Sequence, residues 1–335
     1  LSLAFLLLFT ITPMAQKSDD TLYVAFWNIE NLFDAENDSL KNDEDFTPTG
    51  SNKWTEERIE QKMKNLARVI GDMNEGRGPD VLGMAEIENY AILARFVNNH
   101  LGQHGYGIIH KDSPDERGID CALLYRKSLF DKADAFTYGG ELDSGNYTRY
   151  ILRTELTTKK SKLNLFVVHN PSRGGGVEKT EPLRMHQASI ARTVIDSILS
   201  TDASADIIVM GDFNDEPNNK SLTESFKAES YSCDQETKVA EGKLLNVAYP
   251  AHSKGDGSYF FRKSWSMIDQ ILLSQGMIDN QSFSYVCNSF SVFRRDYMFQ
   301  TEGDYAGAPW RTFGGKRYFP EGFSDHLPVV VRVVR

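Results

Sequence analysis

Several apolar runs in this 335-residue chain end in an acid, an amide or a histidine. Asn28 and Glu30 follow Val24-Ala-Phe-Trp27, Glu86 and Glu88 close Val81-Leu-Gly-Met-Ala85, and His169 closes Leu165-Phe-Val-Val168. Asp212, Asn214 and Asp215 follow Ile207-Ile-Val-Met-Gly211, and Ser324-Asp325-His326 precedes the apolar run Leu327 to Val333. Carboxylates and amide oxygens suit a hard divalent cation, and a histidine beside a carboxylate suits proton transfer. Singly, most of these are ordinary. Asp212-Phe-Asn214 after a strand is a common turn or Asx cap, and a lone His169 is more often a satisfied structural histidine. Asp269 differs, because it interrupts Met267-Ile-Asp-Gln-Ile-Leu-Leu273. A carboxylate inside an apolar strand is costly to bury unless it is paired, so a partner such as a histidine is implied.

The elements that must position these groups follow from hydrophobic period. Strands are expected at Thr21 to Asn28, Asp80 to Glu86, Asp120 to Arg126, Tyr150 to Leu156, Leu163 to His169, Asp206 to Asp212, Ser266 to Ser274 and Leu327 to Val333. Helices are expected at Thr55 to Met73, with Ile59, Met63, Leu66 and Ile70 on one face, and at Pro182 to Leu199, with Leu183, Ile190, Val194 and Ile198 on one face. Thr55 with Glu56 and Glu57, and Thr180 with Glu181 and Pro182, make sensible helix starts. Strands mixed with helices along the whole length mean an α/β or α+β sheet protein, and polar strand ends in such sheets build sites.

Composition sets the outer limits. With 40% apolar and 25% charged residues the chain folds as a globular protein, and no long apolar stretch after the N-terminus marks a polytopic membrane protein. A formal charge of −10 argues against holding nucleic acid by bulk charge, though a bound metal can supply local positive field. Leu1 to Ile11 reads as the hydrophobic part of a secretory signal occupying residues 1–15 and truncated at its start, with Ala15 at the cleavage point. No cysteine stands directly after that point to take a lipid anchor, so the expectation is a soluble secreted or periplasmic protein, monomeric, with one domain over residues 20–335. Of three cysteines, Cys121 lies in an apolar run and reads as a core thiol, leaving Cys233 and Cys287 as the candidate disulfide pair.

Taken in order, six blocks resemble the endonuclease/exonuclease/phosphatase superfamily, whose metal-dependent members include deoxyribonuclease I, abasic endonucleases, inositol polyphosphate phosphatases and bacterial sphingomyelinases. They are Trp27-Asn-Ile-Glu-Asn31, Pro79-Asp-Val-Leu-Gly-Met-Ala-Glu86, Val168-His-Asn-Pro-Ser-Arg173, Met210-Gly-Asp-Phe-Asn-Asp215, Ile268-Asp-Gln-Ile-Leu-Leu273 and Phe323-Ser-Asp-His-Leu-Pro328. Ala85 stands where the family usually has Gln before the metal glutamate, and His169-Asn-Pro differs from the Asn-before-His order of many extracellular members. The resemblance implies an α/β four-layer sandwich, two packed mixed sheets flanked by helices, with one site at a rim.

It also implies the chemistry of an Mg²⁺-dependent phosphoesterase, with Mn²⁺ as a substitute. Glu86 is the expected direct metal ligand, with Asn28, Glu30 and Asp325 close to the ion and Glu88 behind them. His326, oriented by Asp269, is expected beside the scissile phosphate. Asp212 and Asn214 should flank the attacking water, and His169 should face the leaving group as a proton or hydrogen-bond donor. Either Asp212 or His326 is the general base. Arg173, beside Gly174-Gly-Gly176, and Arg184 are charge-matched to a substrate phosphate. The segment Gly139 to Arg149 and the aromatic and basic stretch Asp296 to Pro320 are candidate walls of the substrate cleft. The expected substrate is nucleic acid, read without base specificity. A small phosphomonoester or a phospholipid headgroup is the variant within the class, and a non-catalytic binding protein of the same fold is the alternative outside it.

Overall fold

Thr21–Leu32 is buried along almost its whole length, as a strand must be when both faces are covered. The computed structural model describes residues 21–142, 145–233, 240 and 242–335, so the expected signal segment lies outside it. The strands in chain order begin with β1 (Thr21–Leu32), β2 (Val81–Ile87), β3 (Tyr106–His110), β4 (Asp120–Arg126), β5 (Lys132–Glu141) and β6 (Tyr147–Thr157). They continue with β7 (Lys162–His169), β8 (Asp206–Asp212), β9 (Ala228–Ser230), β10 (Leu244–Asn246), β11 (Tyr259–Phe261) and β12 (Ser264–Ser266). The last are β13 (Asp269–Leu273), β14 (Ser284–Tyr285), β15 (Ser291–Val292), β16 (Phe313–Gly314), β17 (Arg317–Tyr318) and β18 (Val329–Val334). The main helices are α1 (Glu56–Asp72), α2 (Tyr90–His100) and α3 (Val177–Thr201).

Two mixed sheets of seven strands form the body, as expected. One runs β14-β18-β1-β2-β4-β3 with β15 also on β18, and the other runs β5-β6-β7-β8-β13-β10-β9. The period of two decides the layers. In β7 and β8, Leu165, Val167, Ile208 and Met210 join the core shared with β1, β2, α1 and α2, while Phe166, Val168, Ile207 and Val209 pack with Ala188, Ala191 and Ile195 of α3. The layers are therefore helices, sheet, sheet and helix.

The same topology explains one rim. β1 and β2 are parallel, as are β7 and β8, so the C-terminal ends of four strands point one way. β13 runs antiparallel to β8 and β18 antiparallel to β1, so these two strands begin where the other four end. Asp269 is thereby placed opposite Asp212, and His169 beside Asp212 in the ladder. Gly211 is required at this crossing, since a β-carbon there would fall 2.1 Å from the Val168 carbonyl oxygen.

Several expected bounds shift. β1 runs four residues past Asn28 through a bulge, and α3 starts at Val177 with Gly176 as its N-cap, so Pro182 sits inside the helix instead of opening it. The buried stripe of α3 is Arg184, Gln187, Ala188, Ala191, Arg192 and Ile195, not Leu183, Ile190, Val194 and Ile198, which stay half-buried. Small side chains bring this helix close to the sheet, and the two arginines beside them find internal partners. Ile59, Met63, Leu66 and Ile70 of α1 are buried as expected. Strands β3 and β5 and helix α2 carry no period strong enough to have been read. Cys121 is a buried free thiol, and Cys233 is bonded to Cys287.

Candidate active site

β1 and β2 break their regular geometry where they reach the rim. The β1–β2 register slips between Asn28 and Leu32, and the β2–β4 register between Ala85 and Ile87. Within these bulges Glu30, Asn31 and Glu86 hold φ of +54°, +56° and +66°, and Asn214 after β8 holds +50°. A left-handed glutamate is costly, and such strain concentrates at functional sites. The bulge turns Glu86 toward β1, where its Oε2 accepts from the Asn31 amide at 2.9 Å and its Oε1 lies 3.4 Å from Asn28 Nδ2.

Asp212 Oδ2 is the hub. Asn28 Nδ2 donates to it at 3.1 Å, His169 Nε2 stands 3.6 Å away and His326 Nε2 3.8 Å away. Its other oxygen accepts from the Asn214 amide at 2.9 Å. The two imidazoles are too far for direct hydrogen bonds yet close enough to share a water or a phosphoryl oxygen with the carboxylate. Burial, with Asp269 adding to it against the opposing pull of His326, pushes Asp212 up to about 7.

Asp269 has the partner its position demanded. Its Oδ2 meets His326 Nδ1 at 2.8 Å and accepts from Ser258 Oγ at 2.6 Å. That bond fixes Nδ1 toward the carboxylate and leaves Nε2 facing the hub. Burial alone would lower the His326 pKa, but Asp269 and Asp212 reverse this and hold it well above the ordinary histidine value. His169 goes the other way: burial, with Arg149, Arg117 and His326, holds it well below. That shift favours the uncharged ring, which suits the hydrogen-bond-donor role of the two expected for His169. Although Asp212, Asp269 and His326 lie close enough to hold an ion, the Asp269–His326 hydrogen bond already occupies that pair.

The remaining expected ligands separate. Asn28 Oδ1 accepts from the Glu30 amide, so its N–H groups point at Glu86 and Asp212 and it clamps the two carboxylates together. Glu30 turns away from the hub, its oxygens accepting from the Thr312 and Phe313 amides at 2.6 and 3.4 Å. Burial and Asp325 push it up to about 7. Behind it the buried Lys62 amine, lowered to about 8 chiefly by burial, donates to Thr312 Oγ1 and the Phe323 carbonyl. Asp325 bonds Arg311 Nη2 at 2.6 Å while its Oδ1 lies 4.0 Å from His326 Nε2. The Asp296 to Pro320 stretch thus buttresses the site. Glu88 accepts from the Asp34 amide at 2.6 Å, away from the hub.

Arg184 is not a substrate residue. It is fully buried, with Nε 2.8 Å from Asp215 Oδ1 and Nη2 donating to the Val177 carbonyl. Its place near a helix start made it look exposed, whereas the helix begins a turn earlier and covers it. Arg184→Met is expected to destabilise the fold by about 3–5 kcal/mol, because Asp215 is left charged and buried. Thermal melts check this, and an unchanged Tm with a raised KM would return Arg184 to substrate binding. Arg173 is half-buried and close enough to Tyr259 to act on its phenol.

Sequence reasoning missed Tyr259, Asn170 and Arg149. The Tyr259 ring lies 4.7 Å from the His326 ring, and its phenol, raised to about 12 chiefly by burial, lies in the field of Asp325 and Asp212. The Asn170 carbonyl accepts from both Asn214 Nδ2 and Arg149 Nη2, and Arg149 also pairs with Asp115 at 3.1 Å. Neighbouring Pro171 and the hairpin turn before Arg149 carried no chemical signal that would have linked them.

The model described as the Endonuclease/Exonuclease/phosphatase family matches residues 23–335. No curated protein sequence matches. Among solved structures, truncated TDP2 of Caenorhabditis elegans superposes at a TM-score of 0.56 with 17% identity, covering 94% of this chain and 98% of that one. A mannosyl-6-phosphatase of Bacteroides thetaiotaomicron gives 0.55 with 18% identity over 94% of this chain and all of its own. The human Nocturnin catalytic domain with bound sulfate gives 0.54 with 17% identity over 94% of both. At these identities the likeness is one of fold.

Proposed function

Because the chain belongs to the endonuclease/exonuclease/phosphatase family of metal-dependent phosphoester hydrolases, we propose that it is an exported Mg²⁺-dependent phosphodiesterase that cleaves nucleic acid with little base preference. The observation that carries the hydrolytic reading is the meeting of Asp212, His169 and the Asp269-oriented His326 within 4 Å of one carboxylate oxygen. The donor set fits a hard divalent ion. Glu86 keeps lone pairs on Oε1 with no strong partner, and Asp325 adds a second carboxylate. Glu86 and Asp325 would hold the ion, which when bound offsets charge on the phosphoryl oxygens.

The side chains divide the remaining work. Asp212, raised to about 7, is suited to take the proton of the attacking water near neutral pH. His326, charged and fixed by Asp269, presents Nε2–H to a phosphoryl oxygen, which makes it the poorer base. Neutral His169 and the Asn214 side chain position the phosphate from the other side, with Asn214 held by Asn170.

The β11–β12 hairpin supports a nucleic acid substrate. Phe261 is 53% exposed, its ring is stacked at 6.2 Å on Tyr259 beside His326, and Arg262 lies over its face. An exposed aromatic with cations at the tip suits a base and its phosphate, whereas a membrane-seeking hairpin would carry an apolar tip. The Cys233–Cys287 disulfide supports an oxidising compartment, and among the described residues no helix is long and apolar enough to cross a membrane. Supercoiled DNA incubated with Mg²⁺ should be nicked, and EDTA should abolish the reaction. Absence of nicking, with phosphate released from a phosphomonoester or phosphocholine from a lipid, would replace this substrate and leave the hydrolytic site standing.

A further inference from the structure

A second cluster of ligand-type side chains lies outside the catalytic hub, where the end of β3 meets the start of β4. His110, Asp112 and Asp120 each offer one ligand atom, and these atoms lie within 4.8 Å of one another. His110 is 8% exposed, and its Nε2 has no hydrogen-bond partner. That nitrogen stands 3.5 Å from Asp120 Oδ2, while Nδ1 stands 3.7 Å from Asp112 Oδ1. These separations are long for hydrogen bonds. One ion can take only one of the two ring nitrogens, and Nε2, unpartnered and facing Asp120, is the one free to ligate, with the exposed Asp112 side chain able to turn toward the same ion.

The surroundings are rich in negative charge. Asp112 and Asp120 line a pocket of about 210 Å³ together with Asp34, Asp38, Glu88 and Lys41. The Lys41 amine donates to the Ser113 and Asp115 carbonyls at 2.9 and 2.8 Å, so it adds one positive charge among several acids. Beside the pocket, Asp43 is buried at 2% exposure with Oδ1 unpartnered, its Oδ2 accepting from the Asp38 amide. Two buried polar atoms without partners therefore flank one acidic pocket, one of them an imidazole nitrogen directed at a carboxylate that lines it.

We propose that His110, Asp112 and Asp120 form a second divalent-cation site, separate from Glu86, for an ion that accepts imidazole as well as carboxylate, such as Zn²⁺ or Mn²⁺. Imidazole with carboxylate suits such borderline ions better than Ca²⁺ or Mg²⁺, which prefer oxygen alone. Asp120 sits opposite Ile87 in the β2–β4 ladder, next to the bulged Glu86. An ion here ties the start of β4 to the end of β3 and braces the strand pair that carries the catalytic glutamate.

The test uses metal-stripped protein in a Glu86→Gln background, which removes the principal ligand of the first site. Equilibrium dialysis against Zn²⁺ with elemental analysis should find one bound ion, and Tm should rise by several degrees on adding it. Adding Asp112→Asn, at a side chain 76% exposed and so tolerant of change, should weaken binding at least tenfold and remove most of the Tm rise. Co²⁺ substituted for Zn²⁺ should show nitrogen-ligand absorption that His110→Gln abolishes. The competing arrangement is a protonated His110 bridging two carboxylates with no ion. No Zn²⁺ bound to the Glu86→Gln protein, or equal binding with and without Asp112→Asn, would establish that arrangement and overturn the proposal.

Discussion

Asp269→Asn is expected to lower kcat by about 10²- to 10⁴-fold while leaving KM within a few-fold, by analogy with the loss of an orienting carboxylate in other histidine pairs. The amide can still occupy the space between His326 Nδ1 and Ser258 Oγ, so the fold persists. What disappears is the charge that holds the His326 pKa above the ordinary value against its burial. The sign follows. If the imidazolium is the active form, activity falls as pH rises through the His326 pKa, and without Asp269 that fall moves to lower pH. Rate profiles of both proteins should show this displacement. The double variant with His326→Ala should be little slower than His326→Ala alone, because the carboxylate acts through the ring. Losses that multiply would mean that the two residues work separately.

Glu86→Ala should reduce hydrolysis by about 10³-fold or more, because the principal negative ligand is gone, and excess Mg²⁺ should restore part of it. Titration calorimetry should find the ion bound more weakly. A variant that binds Mg²⁺ as tightly as the parent and stays active would remove Glu86 from the metal site. Glu86→Gly separates ligand from backbone. At φ +66° glycine relieves a conformation that glutamate adopts at a cost of about 1 kcal/mol, so this variant should be no less stable than the parent and yet inactive. Stability held at the expense of the ligand is the signature of strain kept for function.

Much of the site was legible in sequence because its groups sit at the ends of apolar runs, and a strand end is a local property. Asp212 after Ile207 to Gly211 and Glu86 after Val81 to Ala85 stand out as polar ends of apolar runs, each ordinary alone, and Asp269 announced a buried partner by its own cost of burial. The family order of the blocks then required both chain ends to meet. The strand directions explain that meeting: the antiparallel β13 and β18 must start where the parallel strands stop. Other assignments depended on packing that no local pattern records. Glu30 and Asn28 have the residue types of ligands, but a bulge sends Glu30 to the amides of Thr312 and Phe313, more than 280 residues away, and lets Asn28 clamp Glu86 to Asp212. Arg184 looked like a surface cation until α3 gained its extra turn and closed over Asp215. Tyr259 is an unremarkable aromatic in sequence, and only the bridge between Tyr259 and His326 puts it at the site. By itself the sequence determined which chemistry stands at the strand ends, because alternation and burial act over a few residues. The tertiary structure decided which of those groups gather around Asp212, because bulges, helix starts and loop returns direct side chains through contacts across the whole chain.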